Sequence, residues 1–152
     1  MNVQDYLKQH GVPFDVISHE QAFTAQEVAA AEHVTGHKFA KTVIVKAGED
    51  AYMFVLPASR HLDLNKAGHA VGGKAQLATE EEMKVLFPDC EIGAEPPFGT
   101  PYGIKTFADD SLQGVDEIVF RAGTHDHTVK MTCADYQKLE DPTFGSFATE
   151  VW

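Results

Sequence analysis

Short blocks of apolar residues alternate with polar turns along the chain, which predicts a mixture of short strands and short helices. Residues 42–45 and 52–56 are runs of strand-forming side chains on either side of the tetrapeptide AGED, a pattern typical of a β-hairpin. Residues 118–120 and 127–131 flank a second turn at residues 122–125 and predict a second hairpin.

The predicted helices are marked by residues that favour helix ends. Four side chains can accept hydrogen bonds from the first turn of a helix: those of Asn2, Thr24, Thr79 and Thr132. The first three of these helices are expected to stop near Gly11, Gly36 and Pro88. Residues 14–17 are a further strand candidate, and the pair Gly72 and Gly73 is typical of a helix end. Two hairpins with helices at both ends predict an α+β fold, with residues 1–152 as one domain around a mixed sheet.

Length and composition agree with one globular domain. The chain has 152 residues, of which 43% are hydrophobic and 23% charged, and this excludes disordered, collagen-like and coiled-coil proteins. Its two cysteines favour a reducing compartment, and its first residues lack the basic and apolar regions of a signal peptide. No apolar run approaches the roughly 20 residues that a membrane span needs. We therefore expect a soluble, cytoplasmic protein with no membrane partner.

The net charge of −11 argues against a protein that coats nucleic acid with its whole surface. The charge is unevenly distributed, however. Residues 33–74 hold six basic and three acidic side chains, a net +3, so the remainder carries −14. An acidic protein with one basic segment can hold the end of a nucleic acid in a local patch, and chance clustering of so small an excess is the alternative.

Two features are candidates for a functional site. Residues 90–103 hold six glycines and prolines, typical either of a functional loop or of a proline-stiffened surface connection. Lys41 directly precedes the 42–45 run, where its charge can be aimed at an anion or a carbonyl, or can be solvated at the sheet edge.

The common catalytic and metal motifs are missing from the sequence. Of the eight histidines, two pairs have suggestive spacing, but no HExxH or CxxC motif accompanies them: His33 with His37, and His125 with His127. No Gly-x-Ser-x-Gly elbow occurs, Cys90 lies between two carboxylates that disfavour a thiolate, and Cys133 is expected to pack. We expect no metal and no cofactor.

Five short motifs, in this order, resemble those of the YbaK and prolyl-tRNA-synthetase-associated domain family. They are FTA at residues 23–25, KTV at 41–43, PASRHLDL at 57–64, GAEPPFG at 93–99 and AGTH at 122–125. The resemblance spans about residues 24–139, and residues 93–97 (the 93–97 loop) fit the family's Gly-x-x-x-Pro loop. It implies a curved, barrel-like mixed β-sheet wrapped by helices.

The resemblance also implies an editing enzyme that hydrolyses the ester between a wrong amino acid and the 3′ end of a tRNA. The family's lysine falls on Lys41, which would orient the aminoacyl-adenosine end. Backbone N–H groups of the 93–97 loop would fix the ester carbonyl and a water. The implied catalytic positions are Lys41, Gly93 and Pro97. The implied substrate-binding positions are Thr24, Arg60, Ala94, Phe98, Gly99 and His125.

This chemistry suits a chain without a nucleophilic triad. An aminoacyl ester is already activated, so a positioned water and a stabilised oxyanion suffice, and the neighbouring ribose hydroxyl can assist proton transfer. The resemblance implies a small amino acid as the group removed. Discrimination among amino acids would come from pocket size and clashes, where one methylene is worth only about 1–3 kcal/mol. Glu95 places a carboxylate inside the loop, where it would repel a tRNA phosphate if it pointed inward.

The expected partner is the acceptor end of a mischarged tRNA, with an aminoacyl-tRNA synthetase as a further candidate. A monomer and a homodimer are both compatible with the sequence. Two alternatives remain open at this point. One is a non-catalytic module of the same fold that binds tRNA or a synthetase, and the other is a hydrolase for a different small acyl ester.

Overall fold

A computed structural model describes residues 2–18 and 39–150 of the chain. The helices in these ranges are α1 (Val3–Gln9), α2 (Leu64–Val71), α3 (Glu80–Leu86) and α4 (Cys133–Glu140). The strands are β1 (Asp15–Ser18), β2 (Ala40–Ala47), β3 (Asp50–Pro57), β4 (Arg60–Leu62), β5 (Gln76–Leu77), β6 (Lys105–Asp109), β7 (Glu117–Arg121), β8 (His127–Thr132), β9 (Thr143–Gly145) and β10 (Ala148–Glu150). Single turns of 3₁₀ helix occur at Thr100–Tyr102 and Asp110–Gly114.

Local sequence signals account for the helix ends. The side chain of Asn2 accepts hydrogen bonds from the first turn of α1, and Thr79 with Glu82 forms the predicted capping box of α3. Thr132 caps α4 by accepting the N–H of Asp135. Gly72 ends α2 in the left-handed conformation that glycine adopts at little cost. These predictions are confirmed. The helix predicted to start at Thr24 lies outside the described residues.

Both predicted hairpins are confirmed. β2 and β3 pair antiparallel along their whole length, and β7 pairs with β8 in the same sense. The first hairpin lies in a five-stranded sheet of order β5-β2-β3-β6-β9, which is mixed because β6 pairs parallel to both β3 and β9. A three-stranded sheet of order β1-β8-β7 and a two-stranded sheet of β4 and β10 complete the described strands.

A single parallel bridge between Phe39 and Val119 places the start of β2 beside β7. This bridge joins the five-stranded sheet to the three-stranded one, and therefore brings the two hairpins together. It is the feature of the fold that matters most for the site.

Three apolar clusters fill the spaces around the sheets. Alternate residues of β2 point to opposite faces, so that Ile44 packs with one cluster and Val45 with another, as the period of a strand requires. The third cluster lies between the β7–β8 hairpin and helices α1 and α4. The α+β class with a mixed sheet is confirmed. Within the described ranges, no helix combines the length and the apolar character that crossing a membrane requires.

Candidate active site

The 93–97 loop is a largely buried connection, in which Gly93 is exposed and residues 94–97 are buried. It follows α3 and leads into the 3₁₀ turn, yet Ala94 is fully buried and Glu95 is only 5% exposed. A buried loop must satisfy its own backbone groups, because an unpaired N–H or C=O away from water costs as much as a lost hydrogen bond. The partners of this loop therefore define its shape.

The turn between β7 and β8 holds the first half of the loop. Gly123 donates its N–H to the carbonyl of Ala94 at 2.9 Å, and the N–H of Glu91 donates to Gly123 at 2.8 Å. The imidazole Nε2 of His125 lies 2.8 Å from the carbonyl oxygen of Ile92. His125, predicted to border the site, is thus in direct contact with the segment that leads into the loop.

The carbonyl and the N–H of Gly93 are both held by side-chain hydrogen bonds. Its φ of 86° lies in the left-handed region, and an added Cβ would meet the imidazole of His125 at 3.4 Å. The guanidinium of Arg121, at the end of β7, donates from Nη1 to the carbonyl of Gly93 at 2.9 Å. The N–H of Gly93 donates to both carboxylate oxygens of Glu95, at 2.9 and 3.2 Å.

The carboxylate of Glu95 turns into the loop and not toward solvent. The nearby N–H groups of Ala94 and Glu95 also favour its charged form and lower its pKa, while the N–H of Ala94 donates its hydrogen bond to the carbonyl of Glu91 at 3.0 Å. Burial outweighs these N–H groups and the nearby charge of Arg121, and raises the pKa of Glu95 from 4.5 to about 7.

Helix α4 holds the second half of the loop. The hydroxyl of Tyr136 donates to the carbonyl of Pro97 at 2.8 Å, and the carboxylate of Glu140 accepts the N–H of Gly99 at 3.1 Å. An added Cβ at Gly99 would lie 2.4 Å from the carbonyl oxygen of Ile104, so no side chain fits there. The side chain of Phe98 is fully buried in the cluster between β7 and α4.

We predict that Tyr136→Phe lowers the free energy of unfolding by about 1–3 kcal/mol, because the buried carbonyl of Pro97 loses its donor. Urea denaturation of the purified variant measures this change. Tyr52→Phe, on the half-buried side chain of β3, is the control and should change stability by less than about 0.5 kcal/mol. Equal stability of wild type and Tyr136→Phe would contradict the anchoring role.

Lys41 lies at the same end of the adjoining strands as the loop. The bridge pairs Phe39 with Val119 in parallel, and Lys41 and Arg121 each follow their bridged residue by two positions. Both therefore extend from the bridge in the same direction, and Arg121 reaches Gly93.

The amine of Lys41 is half-buried, and this burial lowers its pKa. Within residues 2–18 and 39–150, the amine forms no ion pair or hydrogen bond. A negative or carbonyl group beside it would reverse the lowering of the pKa, as expected of an amine placed to receive a ligand.

Two further predicted substrate-binding positions are Arg60 and Thr24. Arg60 begins β4, three residues after the end of β3, where the N–H of Ala58 donates to the carbonyl of Phe39 at 2.7 Å. The segment that leads into Arg60 therefore passes beside the start of β2. Thr24 lies outside the described residues.

Sequence reasoning did not single out Arg121, Tyr136 or Glu140. Arg121 follows an apolar strand, and only its contact with Gly93, 28 positions away, gives it a role. Tyr136 and Glu140 look like ordinary helix residues until they meet the loop 39 and 41 positions away. A single sequence carries no signal of such distant contacts.

The described residues contain no group of three His, Cys, Asp or Glu side chains arranged to hold a metal ion. His127 and Asp126 instead interact within the β7–β8 turn, with Nδ1 and Oδ1 2.8 Å apart. His33 and His37 lie outside the described residues.

Comparison with known proteins identifies the family. A sequence model described as the aminoacyl-tRNA editing domain matches residues 19–139, most of the chain. The chain belongs to the aminoacyl-tRNA editing domain family. This confirms the predicted family and the predicted enzyme class, since editing an aminoacyl-tRNA is hydrolysis of its ester bond.

Two relatives and two solved structures are similar to this chain over most of its length. The Multifunctional Ser/Thr-tRNA deacylase ProXp-y of Escherichia coli, in strains K12 and O157:H7, is 31% identical over 147 residues, covering 93% of this chain and 87% of the relative. The crystal structure of a candidate trans-editing enzyme for prolyl-tRNA synthetase is 27% identical, with a TM-score of 0.84, covering 97% of this chain and 94% of that one. A hypothetical protein of the same fold has a TM-score of 0.88 at 20% identity, covering 97% and 99% of the two chains.

Proposed function

We propose that this editing domain is a trans-acting deacylase that removes serine or threonine from mischarged tRNA. The observation that carries the proposal is the placement of Lys41 and the buried 93–97 loop at the same end of two adjoining strands. The choice of amino acids rests on the name of the E. coli deacylase, which is similar over 93% of the chain.

In the proposed mechanism, the half-buried amine of Lys41 contacts and orients the aminoacyl-adenosine end. The amine has no competing partner among the described residues, so a carbonyl or phosphate oxygen of the substrate can take that place. Burial strengthens this contact, because charges interact more strongly where water is excluded.

The 93–97 loop then positions the ester carbonyl and a water. The N–H of Gly93 already donates to a carboxylate, that of Glu95, so this N–H is suited to stabilise an oxyanion. The anchors from Arg121 and Tyr136 fix the loop before the reaction, which reduces the reorganisation needed as charge develops. The ester carbonyl gains the N–H of Gly93 when the carboxylate of Glu95 gives it up.

The test is a panel of five mischarged tRNAs, carrying Ala, Cys, Ser, Thr or Pro, each compared with its spontaneous hydrolysis. We expect Ser-tRNA and Thr-tRNA to be deacylated fastest. Hydrolysis of none of the five above the spontaneous rate would overturn the proposed function.

A second comparison separates tRNA editing from hydrolysis of small esters. Seryl-adenosine serves as a minimal substrate that keeps the ester and loses the phosphates of the acceptor stem. We expect a higher kcat/KM for Ser-tRNA, with a shallow dependence on salt because an acidic chain contacts few phosphates. Equal kcat/KM for the two substrates would mean that tRNA is not the substrate.

A further inference from the structure

The carboxylate of Glu95 lies beside the N–H group that the proposed mechanism assigns to the ester carbonyl. It is within 3.2 Å of the N–H of Gly93, the donor assigned above to the ester carbonyl. Any acceptor bound to that N–H therefore lies next to the carboxylate. Loop residues on both sides are buried, and Arg121 fixes Gly93 from the opposite side.

Glu95 is surrounded by groups that control its charge. Arg121 faces it from β7, Cys90 from the segment before the loop and Tyr102 from the 3₁₀ turn. The imidazole of His125 lies where it would meet a Cβ added at Gly93, and the carboxylate of Glu91 accepts the backbone N–H of His125 at 3.0 Å. Among these groups, Arg121 is the one whose charge favours the ionised form of Glu95.

We propose that Glu95 is the general base of deacylation, which accepts a proton from the hydrolytic water once the ester carbonyl has taken the N–H of Gly93. This inference rests on the proposed function. It adds a side chain to a mechanism that otherwise relies on the substrate's own ribose hydroxyl.

A water proton moves to the carboxylate of Glu95 while the water oxygen bonds to the ester carbon, and the carbonyl electrons move to the oxyanion. Collapse of this intermediate breaks the bond between the acyl carbon and the ribose oxygen. That oxygen takes the proton from Glu95, which leaves a free amino acid, an uncharged tRNA and the original carboxylate.

The environment of Glu95 suits this task. Its pKa of about 7 is close to the pH at which a base both remains ionised and binds a proton well. Because the base must be ionised, the wild-type rate should fall as the pH decreases below about 7. His125 and Cys90 are present in every variant below, so a change in this pH dependence is assigned to Glu95.

The test is single-turnover deacylation of Ser-tRNA from pH 5.5 to 8.5 by wild type, Glu95→Gln and Glu95→Asp, with spontaneous hydrolysis subtracted. General-base catalysis contributes typically 10²–10⁴-fold, so Glu95→Gln should slow the reaction by at least about 100-fold at pH 8. The difference in rate between wild type and Glu95→Gln should become smaller toward pH 5.5. Glu95→Asp should recover part of the wild-type rate. Glu80→Gln, in the exposed first turn of α3, controls for loss of a carboxylate and should match wild type.

Three results would overturn the assignment of the base. They are a Glu95→Gln rate within threefold of wild type, a slower rate with the wild-type pH dependence, and a rate faster than wild type. The second would make Glu95 structural only, and the third would make its carboxylate a competitor of the ester. A wild-type protein inactive toward every tRNA would instead refute the proposed function itself.

Discussion

Lys41→Ala is expected to reduce deacylation of Ser-tRNA and Thr-tRNA by at least about 100-fold, the loss typical when one stabilising donor is removed from a reaction site. The amine is half-buried on β2 and forms no ion pair or hydrogen bond within residues 2–18 and 39–150, so the fold gains little from it. Its removal should therefore affect catalysis without unfolding the protein. Single-turnover rates at saturating enzyme measure the effect on the bound substrate.

The matched control is Lys46→Ala on the same strand. Lys46 is five positions along β2 and therefore on its opposite face, where its amine contacts the carbonyl of Glu49 at 3.0 Å and the carboxylate of Glu82 at 3.7 Å. This variant should keep the wild-type rate, with a stability loss of no more than about 1 kcal/mol. Equal rates for the two variants would show that Lys41 has no special role in the reaction.

Glu95→Gln is expected to make the protein more stable at pH 8, by up to about 3 kcal/mol. Burial raises the pKa of Glu95 from 4.5 to about 7, so the folded state binds its proton more tightly than the unfolded state does. The stability linked to this proton is fully present below pH 4.5 and is lost as the pH rises through about 7. Each pKa unit corresponds to about 1.4 kcal/mol, and glutamine resembles the protonated form without this loss.

Urea denaturation at pH 8 and at pH 4 measures the difference. We expect Glu95→Gln to exceed wild type at pH 8 and to equal it at pH 4, where the carboxyl group of wild type is protonated in both states. Glu80→Gln should follow wild type at both pH values, since Glu80 is exposed. A Glu95→Gln protein less stable than wild type at pH 8 would contradict the burial account.

The buried carboxylate of Glu95 lowers the stability of the fold and serves the proposed reaction. A charge kept in a buried loop destabilises the fold at the pH where the enzyme works, and the same charge is the proposed proton acceptor. Loss of activity with a gain of stability is the expected signature of such a residue. Substitution of a residue needed only for folding would lower both activity and stability.

Local features of the fold were predictable from the sequence because their physical causes are local. Asn2 and Thr79 cap helices through contacts two or three positions away, and the two hairpins follow from strand-forming runs beside short turns. The parallel pairing of β6 with β3 and the bridge from Phe39 to Val119 have no such signal. Strand order depends on packing among distant segments, which one sequence does not record.

Some residues of the candidate site were likewise predictable from the sequence, and others required the tertiary structure. The family motifs indicated Lys41 and the loop, but the orientation of Glu95 was not predictable, since a charged residue in a loop is ordinarily expected at the surface. The hydrogen bonds from the N–H of Gly93 to both of its oxygens hold its carboxylate inside the loop. The anchors from Arg121, Tyr136 and Glu140 required the tertiary structure, because each lies at least 28 positions from its partner.

The most direct test of the account is the initial rate at which purified protein releases serine from Ser-tRNA at pH 8, beside a reaction without protein and one with Lys41→Ala. We expect release well above the spontaneous rate for wild type and close to the spontaneous rate for Lys41→Ala. Release by wild type at the spontaneous rate, or equal release by wild type and Lys41→Ala, would contradict it.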